Sequence, residues 1–281
     1  MNSDRIHRAV SHDGTEIAAR VHGRGPSLVF VNSGLSDGDQ WQGLVEHLRD
    51  QFTCHLMSTR GRGLSGSSPD VRPRRLIEDI SAFADSIGEP VGLVGLSTTW
   101  LFGAAATCET VAAIAAYEPA VPEVLSGQDA ATIQSMYERF TADAAQDRLA
   151  DAARHLFQAV ANEEEFASIP SDYIELAGGT VPLHLQEMEQ GEGDTCTHPS
   201  PTDPEVLARI TIPTLLLYGK QTALTSWMAD SVRYIAEHLP SAQVRELDGL
   251  GHLGPFVSPH TVAKELTRFF ETSHYSHQPT T

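Results

Sequence analysis

The sequence predicts a mostly parallel, doubly wound α/β sheet interrupted once by a helical insertion. Three observations carry that expectation. The runs VGLVG (91–95) and VAAIAAY (111–117) are apolar at nearly every position, as strands buried on both faces of a parallel sheet are. Segments with helical spacing separate such runs. The strand–helix rhythm then stops near Val121 and resumes near Glu205. With 281 residues and 41% hydrophobic content, the chain can bury one sizeable core.

Each element has its own signal. IHRAVS and TEIAARV, joined by HDG, alternate as an antiparallel hairpin does. LVFVN and FTCHLMS (52–58) are short strands rich in β-branched and aromatic residues, separated by the helical pattern WQGLVEHL (41–48). RRLIEDISAFADSI (74–87) is an amphipathic helix, and an alanine-rich helix follows Ser97. After Tyr117 come only helix-like segments, ATIQSMYERFTADAA, RLADAARHLFQAVA and VPLHLQEMEQ. ITIPTLLLYG and QVREL restore strands, and SWMADSVRYIAEHL and HTVAKELTRFF restore helices. The expected organisation is therefore a core domain of residues 1–120 and 206–281 with a helical cap or lid of residues 121–205. The turn-rich stretch 191–204 is expected to be mobile and the tail SHYSHQPTT frayed.

Composition excludes several function classes. A net charge of −18 argues against nucleic-acid and anionic-membrane partners, which require basic patches. No 18-residue apolar run occurs and the start is polar, so neither a membrane span nor a signal peptide is expected, and a soluble cytoplasmic protein follows. Lysine is confined to Lys220 and Lys264 among many arginines, which suggests a GC-rich bacterial genome. Cys54, Cys108 and Cys196 have no paired spacing and are expected as reduced thiols. The thirteen histidines include no H-E-x-x-H pair, and neither a metal nor an organic cofactor is expected. GRGLSG (61–66) satisfies G-x-G-x-x-G, but the prolines of SSPDVRP postpone the next helix to about Arg74, so a dinucleotide site is rejected.

The chemistry centres on VGLVGLSTTW. A buried strand runs into Gly95-Leu96-Ser97-Thr98-Thr99 and then a helix, a tight turn that thrusts the Ser97 hydroxyl out of the sheet. Gly95 lets the backbone pass closely, and the Thr98 N–H can face a developing oxyanion. Thr99 stands where G-x-S-x-G has its last glycine. The loop in VFVNSGLSDGDQW offers Gly34 as a second oxyanion donor, with Asn32 and Ser33 before it. His252, in LDGLGHLGPF, lies late in the chain on a glycine-rich loop suited to a general base.

VFVNSGLSDGDQW, STRGRGLSG, GLST and GLGH, in that order, resemble the α/β-hydrolase family over about 5–120 and 206–271. The resemblance implies the α/β-hydrolase fold and a nucleophile–acid–histidine triad with Ser97 and His252. It also raises a difficulty. The family's acid usually follows the strand that here is TLLLYG, and that position is Thr222. Asp248 is close to His252 in sequence but badly placed for its far ring nitrogen, and a water held by Thr222 or Thr225 is a weaker substitute. Glu118 follows VAAIAAY, a strand expected beside the nucleophile strand, and so emerges at the same edge as Ser97. An acid there, with the Glu-x-Pro region before the lid and PFVS (255–258) after the histidine, is similar to the zearalenone lactonase-type serine hydrolases. That resemblance implies hydrolysis of an apolar ester or lactone by a monomer or homodimer. Leu35, Trp100, Met136, Tyr137, Phe157, His184 and Leu253 are the candidate substrate contacts. A polyketide-type cyclase or dehydratase, a C–C hydrolase and a non-catalytic ligand-binding homologue stay open as alternatives.

Overall fold

The computed structural model describes residues 5–195 and 198–273. Eight strands form one sheet: β1 (Arg5–Val10), β2 (Glu16–Gly23), β3 (Ser27–Val31), β4 (Thr53–Met57), β5 (Val91–Leu96), β6 (Val111–Tyr117), β7 (Thr214–Gly219) and β8 (Ala242–Leu247). Their spatial order is β1-β2-β4-β3-β5-β6-β7-β8. The hairpin β1–β2 is antiparallel and joins β4 antiparallel, and every pairing from β4 to β8 is parallel. This is the α/β-hydrolase arrangement of sheet and flanking helices. Every residue of β3 and β5 is buried, which is what their uninterrupted apolar sequences require.

The helices preceding the break are α1 (Gln42–Val45), α2 (Pro73–Ile87) and α3 (Trp100–Ala105). Then come α4 (Gly127–Ala144), α5 (Leu149–Val160), α6 (Glu163–Ser168), α7 (Ser171–Gly178) and α8 (Val181–Thr195) without an intervening strand. The chain returns through α9 (Pro204–Leu207), α10 (Thr225–His238), α11 (Gly254–Val257) and α12 (Pro259–Thr272). Two apolar clusters cover the faces of the sheet. One holds Phe83, Phe102 and Ile235, and the other Phe30, Trp41 and Phe269. A third, with Phe140, Phe157 and Ile174, lies within the helical block and reaches Leu35 and Met228 of the core. Among the described residues, no helix is long and apolar enough to cross a membrane.

The helix expected over 41–48 is much shorter. A 3₁₀ turn, Gly38–Trp41, leads into the single turn of α1. The chain must then double back, since the Arg49 carbonyl accepts from Arg24 and Thr53 N–H bonds the Pro26 carbonyl. Helices α6 and α7 were not separately expected. Cys54 and Cys108 are buried and free, while Cys196 and the tail beyond Ser273 lie outside the described residues.

Register places the site. Leu96 is paired with Tyr117, and Tyr117 with Leu217, so the residues that follow these positions leave one edge of the sheet side by side. Ser97 N–H bonds the Tyr117 carbonyl at 2.9 Å, and Glu118 N–H bonds the Leu217 carbonyl at 2.8 Å.

Candidate active site

Ser97 has φ of +64°, in the left-handed region that non-glycine residues rarely enter. The strain follows from the sharp turn between β5 and α3, and it holds the side chain clear of the sheet. A Cβ on Gly95 would stand 2.6 Å from Leu101 Cδ1 and 2.9 Å from Thr98 Cγ2, so a larger residue would have to displace both side chains. Thr99 does not disturb the packing, because it is half-buried and faces the cavity. Helix α3 begins at Trp100, directly after the turn that the sequence assigns to Gly95–Thr99, and leaves Thr98 in that turn.

Glu118 is the second residue with strained backbone here, at φ +42°, and it is fully buried. Its carboxylate is saturated with donors. Oε2 lies 2.7 Å from His252 Nδ1 and accepts the Thr222 hydroxyl at 3.2 Å, while Oε1 accepts Gly219 N–H at 2.8 Å. Burying a carboxylate is tolerable only with such pairing. Thr222, at the position where the sequence pattern would have an acid, thus donates to a carboxylate arriving from the neighbouring strand. Asp248 is excluded as the partner of His252, being exposed and paired to Lys220 at 3.0 Å.

The loop that carries Gly34 is fixed by its own polar residues. Asn32 donates to the Ser36 and Ser33 carbonyls, and its oxygen accepts Thr59 N–H at 2.7 Å. Ser33 is held by Gln40. The Gly34 carbonyl turns to the Arg62 guanidinium at 2.6 Å. Among the described residues, neither Gly34 N–H nor Thr98 N–H has a hydrogen-bond partner, and both residues line the cavity that Ser97 enters. Arg62 is fully buried against Glu187 of α8, at 2.7 Å. Burial alone would raise the Glu187 carboxyl, but its bonds with Arg62 outweigh burial and hold it below its ordinary value. So the glycine-rich loop rejected as a nucleotide site ties the helical block to the Gly34 loop.

The cavity has a volume of about 370 Å³. Ser97 and His252 open into it, with Leu35 and Leu253 from the core and Trp100 from α3. Met136, Tyr137, Phe157 and His184 come from the helical block, so the sequence-predicted contacts do converge. Sequence reasoning missed Ile133, Leu156, Tyr173, Met188, Trp227 and Phe256, which complete a largely apolar wall. Their apolar spacing was visible, but core and cavity lining share that spacing. The His184 ring packs over Gly34, where an added Cβ would meet it at 2.9 Å, and its Nδ1 is 3.6 Å from Glu187. Among the described residues, no cluster of three or more His, Cys, Asp or Glu could hold a metal ion.

The profile of the alpha/beta hydrolase family matches residues 21–265. The chain belongs to that family. A pimeloyl-[acyl-carrier protein] methyl ester esterase of Stenotrophomonas maltophilia strain K279a is 29% identical over 245 residues, 84% of this chain and 89% of that protein. Among solved structures, an alpha/beta hydrolase from Sphaerobacter thermophilus is 28% identical, with a TM-score of 0.72 over 94% of this chain and all (100%) of its own. An esterase from Thermogutta terrifontis, 20% identical, shares the fold with a TM-score of 0.71 over 96% of this chain and 99% of its own.

Proposed function

We propose that this alpha/beta hydrolase is a serine hydrolase that cleaves a carboxylic ester or lactone of an apolar small molecule, beneath a lid formed by residues 121–205. The observation that carries the reading is the buried Glu118–His252 hydrogen bond of 2.7 Å at the wall of the cavity that Ser97 enters. Glu118 accepts Nδ1–H, which leaves the Nε2 lone pair free and stabilises the imidazolium that forms. His252 takes the Ser97 proton as Oγ attacks the substrate carbonyl. Gly34 and Thr98 N–H groups receive the oxyanion, each donor worth about 10²–10³ in rate. The tetrahedral adduct expels the alkoxide, which His252 protonates. Water, deprotonated by His252, then releases the acid and restores Ser97. With a lactone the leaving oxygen stays tethered to the acyl group, and one hydroxy acid results.

The esterase names of its relatives support ester chemistry, and the apolar cavity supports an apolar substrate. An acid after β6 resembles the zearalenone lactonase-type arrangement, which puts lactones beside apolar esters at the head of a substrate panel. Fluorophosphonate labelling followed by intact mass tests the nucleophile without a known substrate. Single labelling of the wild type, abolished in folded Ser97→Ala, is expected. A folded wild type that stays unlabelled while an apolar ligand still enters the cavity overturns the reading and favours a binding protein.

A further inference from the structure

Helix α6 carries three consecutive glutamates, and it turns the third inward. Glu163 and Glu164 are exposed, whereas Glu165 is only 3% exposed. The local reason is a capping box: Asn162 Oδ1 accepts Glu165 N–H at 2.9 Å, and Glu165 Oε2 accepts Asn162 N–H at 3.2 Å. Such a pair ordinarily satisfies only its own helix. Here the other oxygen, Oε1, accepts Gly251 N–H at 2.9 Å and Leu253 N–H at 3.1 Å, the amides on either side of His252. A Cβ at residue 251 would stand 2.5 Å from Oε2, so glycine is what permits the approach.

The opposite side of the same loop is held by the core. Tyr117 Oη donates to the Gly251 carbonyl at 2.7 Å in a buried bond. Gln221 N–H bonds the Leu250 carbonyl at 2.8 Å, and the Gln221 carbonyl accepts Asn162 Nδ2 at 3.0 Å. The histidine loop therefore lies between a core grip and a lid grip, and the lid grip is a carboxylate. Burial pushes that carboxyl up, against the bonds from Asn162 and Gly251 and the nearby His252. The fold thus tolerates a buried anion that a simple cap at the surface would not require.

We propose that Glu165 is a positioning residue for His252, clamping both flanking peptide groups so that the imidazole is held in place only while the lid helix is seated. This rests on the serine-hydrolase reading for its kinetic consequence, although the clamp itself concerns only the histidine. The titratable groups facing Glu165 are His252 and Glu118 and, across the loop, the Tyr117 phenol. An ionised Glu165 also supports the imidazolium that His252 becomes during the reaction.

The test uses Glu165→Gln and Glu165→Ala in the full chain, with three readouts: the Ser97 labelling rate, the downfield NMR resonance of the His252 Nδ1–H held by Glu118, and thermal melting. Glu165→Ala is expected to slow labelling about 100-fold, the order lost when a reacting group is displaced by an ångström. Glu165→Gln keeps one acceptor oxygen, so its loss is smaller, and in both variants the His252 Nδ1–H resonance shifts or broadens as the ring loses its fixed place. The Gln nitrogen must face a backbone N–H donor, that of Asn162 or those of Gly251 and Leu253, so Glu165→Gln is expected to melt somewhat below wild type. Two folded variants that label at the wild-type rate, with the His252 Nδ1–H resonance unchanged, overturn the proposal. So does slowed labelling that tracks lowered melting while that resonance stays put, since that describes lid stability alone. If the wild type does not label, the hydrolase reading fails by itself, and the His252 resonance still decides the clamp.

Discussion

Glu118→Gln is the sharpest perturbation, because the structure dictates how the amide must sit. Both carboxylate oxygens already face donors: Gly219 N–H on Oε1, and His252 and the Thr222 hydroxyl on Oε2. The backbone N–H of Gly219 cannot rotate, so the amide oxygen stays with it and the NH₂ turns toward His252. That NH₂ requires an acceptor at Nδ1, which moves the ring proton to Nε2, the nitrogen that must take the Ser97 proton. The side chain keeps its size and the site keeps its packing, but the imidazole holds the wrong tautomer. A comparable carboxylate-to-amide change in a serine protease triad costs about 10⁴ in rate, equivalent to about 5.5 kcal/mol of transition-state stabilisation. The assay is the second-order rate of fluorophosphonate labelling, alongside thermal melting to verify the fold. Labelling by folded Glu118→Gln within about threefold of wild type, well short of that loss, would refute Glu118 as the acid and return the question to a water held at Thr222.

Three further outcomes are expected. Arg62→Met leaves Glu187 buried without its partner and is expected to lose about 3–5 kcal/mol in urea melts, with slower labelling because the Gly34 carbonyl loses its anchor. In the wild type, the folded Glu187 carboxyl lies below its unfolded value of about 4.3, so this pair's contribution is full above that value and disappears as pH falls through the lower, folded one; urea midpoints measured at about pH 7 and about pH 3 should show the difference between wild type and Arg62→Met shrinking. Gly251→Ala drives a methyl against the Glu165 carboxylate and should slow labelling while leaving the sheet intact, as read by far-UV circular dichroism. The Cys54 thiol, pushed up to about 12 by burial, should resist alkylation in folded protein and react only on unfolding, as peptide mass mapping would report.

Most of the sheet was legible because buried parallel strands write their burial into every position, as VGLVG and VAAIAAY do. The elbow at Ser97 and the loop at His252 were legible because their glycines are demanded by close backbone approach. The acid's position could be argued from strand adjacency, which needs only topology. What was not legible depends on partners far apart in sequence. Nothing in ANEEEF says that Glu165 reaches the amides of Gly251 and Leu253. Arg62 sits in a glycine-rich loop whose pattern suggested a different ligand, and its real partner, Glu187, lies on α8. The helices α6 and α7 were unreadable for another reason: they are too short for their periodicity to stand out.

The bond between Thr222 and Glu118 bears on how such a chain could change over time. The segments after β6 and β7 meet at one carboxylate oxygen: Glu118 presents it to the imidazole, and the Thr222 hydroxyl donates to it from the adjacent strand. An ancestor carrying an acid at both ends would hold two carboxylates sharing one proton, crowded but still able to orient the ring. Either could then be lost without an inactive intermediate, and a hydroxyl is a natural remnant at the vacated end because it still has an acceptor to serve. On the proposed reading, the acid is tied to a point in space more than to a place in the sequence, and a scan that requires it after β7 would overlook this chain.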